Sequence, residues 1–244
     1  MTMSTAEANL VATMKEASKT IQTSARQATA LARKHLDDVA ALDADWRYNA
    51  EQKGAGRREL SDRLNEKLFE LDLGQREAKR VYDDARSRLY KAPGDKDASR
   101  AVARGAAWAR TTSRLDRLPA SSPRSLALLD IVADAAKVGD HNTLQAAYVE
   151  APAFLESIGE AMPSVLRAAL IQNGGPEAAQ AALEIDVADG RSNYRASTAT
   201  GDLAHEFRST GQVPAVMVGP REGEVIVLDP AGAPDRMPDG VKAG

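Results

Sequence analysis

Three histidines, a run of five arginines and two pairs of adjacent aspartates are the residues of this 244-residue chain whose types could do chemistry. Proton transfer needs a base held beside a group that tunes it, and a metal needs ligands at fixed spacing. His35 falls on an otherwise apolar helical seam, where a polar interruption that sets helix register is a simpler role than ligation. His141 follows Asp140, which reads as a helix cap, and is expected in solvent. His205-Glu206 has no second histidine four residues on, so the zinc-protease arrangement is absent. The chain has no cysteine, which excludes disulfides, thiolate nucleophiles and cysteine-ligated zinc or iron–sulfur centres. No glycine-rich loop ends in Lys-Ser or Lys-Thr, and no Gly-x-Ser-x-Gly occurs. Gly174-Gly175 precede a helix start where backbone N–H groups could hold an anion, but Pro176 removes one donor and no lysine follows. They read as helix punctuation. Asp37-Asp38 and Asp83-Asp84 stand among arginines at helical spacing and read as surface ion pairs. No catalytic residue, cofactor or metal is expected.

The arginines are Arg100, Arg104, Arg110, Arg114 and Arg117, with Asp116 as their one acidic neighbour and Trp108 among them. On a helix they form stripes that could grip phosphate while the indole stacks on a base. No DNA- or RNA-recognition motif accompanies them, and the chain is acidic overall at −3. A solvated or salt-bridged face is favoured. A nucleic-acid-binding module using Arg100–Arg117 stands as the alternative reading.

The elements that would position these groups are helices. Leu10, Met14, Ala17, Ile21, Ser24, Ala28, Leu31 and His35 recur at alternating spacings of four and three, and so do Leu64, Leu68, Leu71, Gln75, Ala78, Tyr82, Ala85 and Leu89, a seam that Leu60 extends by one step. Such a seam cannot bury itself and demands another helix. After Leu31 the first seam drifts to Leu36, Val39, Leu42 and Trp46. The pattern predicts one helix over 4–53 capped by Ser4 or Thr5, a turn at Gly54-Ala55-Gly56, a second helix over 57–91 and a third over about 96–118. Pairing of the two seams within the chain is favoured, with self-association in addition.

Pro119-Ala-Ser-Ser-Pro123 reads as the linker between a long-helix coiled-coil module (1–118) and a compact helical module (124–209). Five short helices are expected in the latter up to about Val187: one opened by Ser122-Pro123 and ending near Val138, one capped by Asp140 and ending near Val149, others opened by Pro152, Pro163 and Pro176. A polar loop over 189–201, a short helix over 201–209 and a β-hairpin within 210–229, from Val213–Val218 and Glu224–Leu228, follow. The tail 230–244, rich in proline and glycine, is expected to be extended unless a partner pins it.

Composition sets the class. Hydrophobic residues make up 43% and charged residues 27%, a globular balance, but aromatics are only 4%, so cores must be built from Ala, Leu, Val and Ile. Residues 1–120 carry +5 and residues 121–244 carry −8, a polarity that could draw copies head to tail or the basic part to an acidic partner, although two soluble domains with unrelated surfaces is the favoured reading. No stretch is apolar enough to span a membrane and no signal peptide opens the chain, so a cytoplasmic protein, or one built into a particle made in the cytoplasm, is expected. The fold class is mainly α: a coiled-coil-like helical hairpin with a third helix, then a compact bundle, a small hairpin and a tail. The expected function is structural and non-enzymatic, acting through helix–helix contacts as a homo-oligomer or beside neighbouring subunits, as in a phage virion or morphogenesis component. The helix-pairing residues would be Leu10, Met14, Ile21, Leu31, Leu60, Leu64, Leu68, Leu71, Tyr82 and Leu89.

Overall fold

In a computed structural model, which describes residues 3–91 and 98–214, the described residues form seven α-helices: α1 (Thr5–Ala44), α2 (Ala50–Tyr90), α3 (Ala98–Asp116), α4 (Arg124–Val138), α5 (His141–Ser157), α6 (Ser164–Gly174) and α7 (Glu177–Thr210). The described residues contain no strand; the expected β-hairpin lies outside them except for its first few residues, and the tail lies wholly outside them. None of the described helices is long and apolar enough to cross a membrane.

Helix starts follow local hydrogen-bond chemistry. Ser4 and Glu7 close α1 reciprocally: the Glu7 N–H donates to Ser4 Oγ at 3.3 Å, and the Ser4 N–H donates to the Glu7 carboxylate at 2.8 Å. Donation from the Ser4 N–H and from the Ser4 hydroxyl, at 2.7 Å, holds the Glu7 carboxyl below its usual pKa. The expected helix over 4–53 is broken at Ala44, nine residues early. Asp45 accepts the Arg47 N–H at 3.0 Å, a turn bond that competes with helix continuation. Asn49 and Gln52 then exchange backbone-to-side-chain bonds of 2.9 and 3.0 Å, which open α2. Gly54 and Gly56, expected in the turn, lie inside α2 instead. A Cβ at Gly56 would meet the Leu42 methyl at 2.8 Å, so this glycine serves the close approach of α1 and α2.

The chain divides into two compact units, 1–14 with 83–187 and 15–82 with 188–244. In the first unit α3 packs against α5 and α4, and α6 packs against both α4 and α5. Leu115, Leu128, Val132, Leu155, Leu166 and Leu170 fill the core, and Trp108 meets Phe154 edge to face at 5.7 Å. The segment 119–123, expected as a linker between modules, is a turn between two helices that share this core. The Arg124 guanidinium fastens it by donating to the carbonyls of Leu118, Pro119 and Ser122.

Three helices and the start of a fourth occupy 124–187, not five helices. Pro152 lies inside α5, which runs on to Ser157. The proline leaves one intrahelical bond unmade, but Ala151 and Leu155 beside it are fully buried and hold the helix in place. The α4 N-terminus is closed by Glu160, not by Ser122: its carboxylate accepts the N–H groups of Arg124 at 2.8 Å and Ser125 at 2.9 Å and also the Ser125 hydroxyl. Glu160→Ala should lower stability by about 1 kcal/mol, the usual size of a lost cap. A urea midpoint that does not move would show the cap to be idle. Asp140 caps α5 as expected, accepting the Thr143 N–H at 3.1 Å.

The second unit contains α1 from Lys15, α2 to Tyr82 and α7 from Ala188. Here the expected polar loop over 189–201 and separate short helix over 201–209 are replaced by one continuous helix of 34 residues, α7. Of the polar residues that suggested a loop, Asn193 and Thr200 are buried and Asp189 is half-buried, while Arg191, Ser192 and Thr198 are exposed.

Candidate helix-pairing site

Both seams are buried along most of their length. Met14, Ile21, Leu64, Leu68, Tyr82 and Leu89 are each at most 5% exposed, and Leu10, Leu31, Leu60 and Leu71 are half-buried. In the second unit Ala28, Ala32, Leu64 and Leu68 share a cluster with Leu203, Ala204 and Phe207 of α7, flanked by Leu31, Leu71 and Val213. The seams therefore meet inside one chain, and a third helix lies on them.

A polar layer fixes the register of that third helix. Ser18 donates to Asp189 at 2.8 Å and accepts from Asn193 Nδ2 at 2.9 Å, and Gln22 donates to Asn193 at 3.1 Å. One turn on, the Gln75 amide donates to the backbone carbonyls of Ile21 at 2.9 Å and Ala196 at 3.3 Å. Ser18, Gln75 and Asn193 are all buried, so a slip of α7 by one turn would strand these groups without partners. The first unit has its own polar node. The Tyr90 hydroxyl donates to Asp186 at 2.5 Å, and the Tyr148 hydroxyl donates to the Tyr90 carbonyl at 2.8 Å. Burial, with the Asp186 hydrogen bond and charge, pushes the Tyr90 hydroxyl far above its ordinary pKa, and burial pushes Tyr148 up to about 12. Both remain neutral donors at any physiological pH.

The drifted set fares differently. From 36 to 63, across the end of α1, the turn and the start of α2, no residue is buried. Leu36 is 42% exposed, Tyr48 44% and Trp46 88%. This end of the hairpin is held by polar contacts: Arg57 pairs with Asp43 at 2.6 Å and Lys53 donates to the Asp43 carbonyl at 2.6 Å. Further along α2, Phe69 and Leu73 are also exposed, and Arg208 lies over the Phe69 ring at 5.4 Å.

The five arginines, four on α3 and Arg117 just past its end, do not share one environment. Arg104 is paired with Glu150 of α5 at 3.7 Å, and Arg100 also has an interaction partner. Arg110, Arg114 and Arg117 are exposed. Trp108 is half-buried against Phe154 and presents no free indole for base stacking. His141 and His205 are exposed, and among the described residues no group of three or more His, Asp or Glu is placed to hold a metal. His35 is buried on the seam, as its position predicts. Sequence reasoning missed α7 as the third wall. The signal was present in the apolar spacing Leu203, Ala204, Phe207, but the polar run before it masked the helix. No family model matches the chain, and no curated protein and no solved structure resembles it.

Proposed function

We propose that this protein is a non-enzymatic assembly component that works through helix–helix contacts and self-association, of the kind that builds or braces a phage virion. The observation that carries the reading is Trp46, exposed in the α1–α2 turn two positions from exposed Tyr48, where Arg57 pairs with Asp43 across the two helices. Tryptophan and tyrosine are the residues most enriched where partners bind, and a rigid support lowers the entropy lost on docking. The surface meets its partner without chemistry of its own. The alternative, nucleic-acid binding through Arg100–Arg117, has less support, because Arg104 is paired and Trp108 is packed inward.

Light scattering coupled to size exclusion tests the proposal. The mass should rise above the 26.0 kDa of one chain as concentration increases. Trp46→Ala with Tyr48→Ala should return it to one chain, and its unfolding midpoint should hold within the roughly 0.5 kcal/mol typical of exposed sites. A single-chain mass at every concentration would overturn the reading. Salt-sensitive retardation of DNA that disappears when the five arginines become glutamine would replace it with the alternative.

A further inference from the structure

His35 is the one histidine that the chain buries. Its ring stands edge to face against Phe207 of α7, with centroids 5.4 Å apart and planes at 81°. Its Nδ1 is buried and has no hydrogen-bond partner. The ring's remaining polar contact is with the backbone of Leu60 on α2. A neutral imidazole tolerates this position. An imidazolium needs a second acceptor at Nδ1, and the buried Nδ1 has none.

The charged groups nearby do not supply that acceptor. On α1, Asp38 favours the charged form weakly from a distance, and it is already paired with Lys34 at 2.7 Å. On α2, Glu59 and Arg63 are exposed, and on α7 so are His205, Glu206 and Arg208. What gives way is therefore decided by packing. The last turns of α7 are held on the seam by Leu203, Ala204 and Phe207, and α7 ends directly after them at Gly211 with φ +67°. The polar layer that fixes the rest of α7 lies further back, at Asp189–Ala196.

We propose that His35 is an acid-operated latch for the C-terminal end of α7: the neutral ring seats Phe207, and protonation displaces Phe207 with the turn that carries it, baring Ala28, Ala32, Leu64 and Leu68. The latch stands on the geometry at His35 and does not depend on the self-association reading. Burial holds the His35 pKa below its ordinary 6.5, against the opposing pull of Leu60 and Asp38. Neutral His35 therefore stabilises the closed end above about pH 6.5, and that contribution is lost as the pH falls below it.

Hydrogen exchange on the full chain, corrected for intrinsic rates, tests the latch. Between pH 7.5 and pH 5, amides of 203–210 should lose protection by about tenfold for each unit that the pKa is depressed, while amides of 18–25 and 72–79 keep theirs. His35→Leu should abolish the response, and His141→Gln and His205→Gln should retain it. If His35→Leu does not fold, the His35 ring-proton titration of the wild-type chain decides: protection must begin to fall near pH 6.5 and level off where that titration shows the ring protonated. Equal protection of 203–210 at both pH values, or an undiminished response in His35→Leu, would overturn the proposal.

Discussion

Gly174→Ala is expected to cost several kcal/mol and to loosen the first unit. An ideal Cβ there would lie 2.3 Å from the Leu144 carbonyl oxygen, 2.7 Å from its carbon and 3.2 Å from Tyr148 Cβ. The obstacle is mostly the backbone of α5, which cannot rotate aside as a side chain can. Overpacking of a side chain typically costs about 1–3 kcal/mol, and a clash with main chain belongs at or above the top of that range. α5 and α6 would have to separate, and Leu144, Tyr148 and Ile171 would lose packing. Urea unfolding followed by Trp108 fluorescence, which reports this core, measures the effect. Gly54→Ala and Gly74→Ala are the internal controls, since no atom lies within 4 Å of either added methyl and both sit in α2. Each should stabilise by about 0.5–1 kcal/mol, because alanine loses less backbone entropy in a helix. An effect of one sign at all three glycines would mean that close approach does not govern Gly174.

The same contrast explains what could be read in advance. The seams were legible because period 3.5 is a property of the chain itself: the residues it selects from Met14 to Leu31 and from Leu60 to Leu89 are all buried or half-buried. Asp140 and the bounds of α4 were legible because caps and prolines act locally. Three features were not, the last two for non-local reasons. The α1–α2 turn contains no glycine or proline, and the Asp45 and Asn49 side chains make it. Pro152 fails to break α5 because tertiary burial outweighs one lost hydrogen bond. Residues 189–201 look like loop because they are largely polar, yet Asp189 and Asn193 are complementary to Ser18 and Gln22 more than a hundred positions away. Gly174 shows the limit most sharply: its spacing suggested helix punctuation, and only the neighbouring helix reveals that no side chain fits there.

Leu68→Ala should cost about 2–5 kcal/mol, while Phe69→Ala, one residue on, should cost no more than about 1 kcal/mol. Leu68 is fully buried in the cluster that α1, α2 and α7 share, whereas Phe69 is 51% exposed and its ring meets chiefly the Arg208 guanidinium. Hydrophobicity scales rank the two residues alike, so only the seam predicts the gap. The pair also separates folding from assembly. If the second unit closes on its own seam and partners dock on Trp46, Leu68→Ala lowers the urea midpoint and leaves the association constant of the folded chain unchanged, and Trp46→Ala does the reverse. If Leu68→Ala weakens association as strongly as it weakens folding, the seam itself is the surface between copies, and the third helix that covers it in one chain must then be supplied by another.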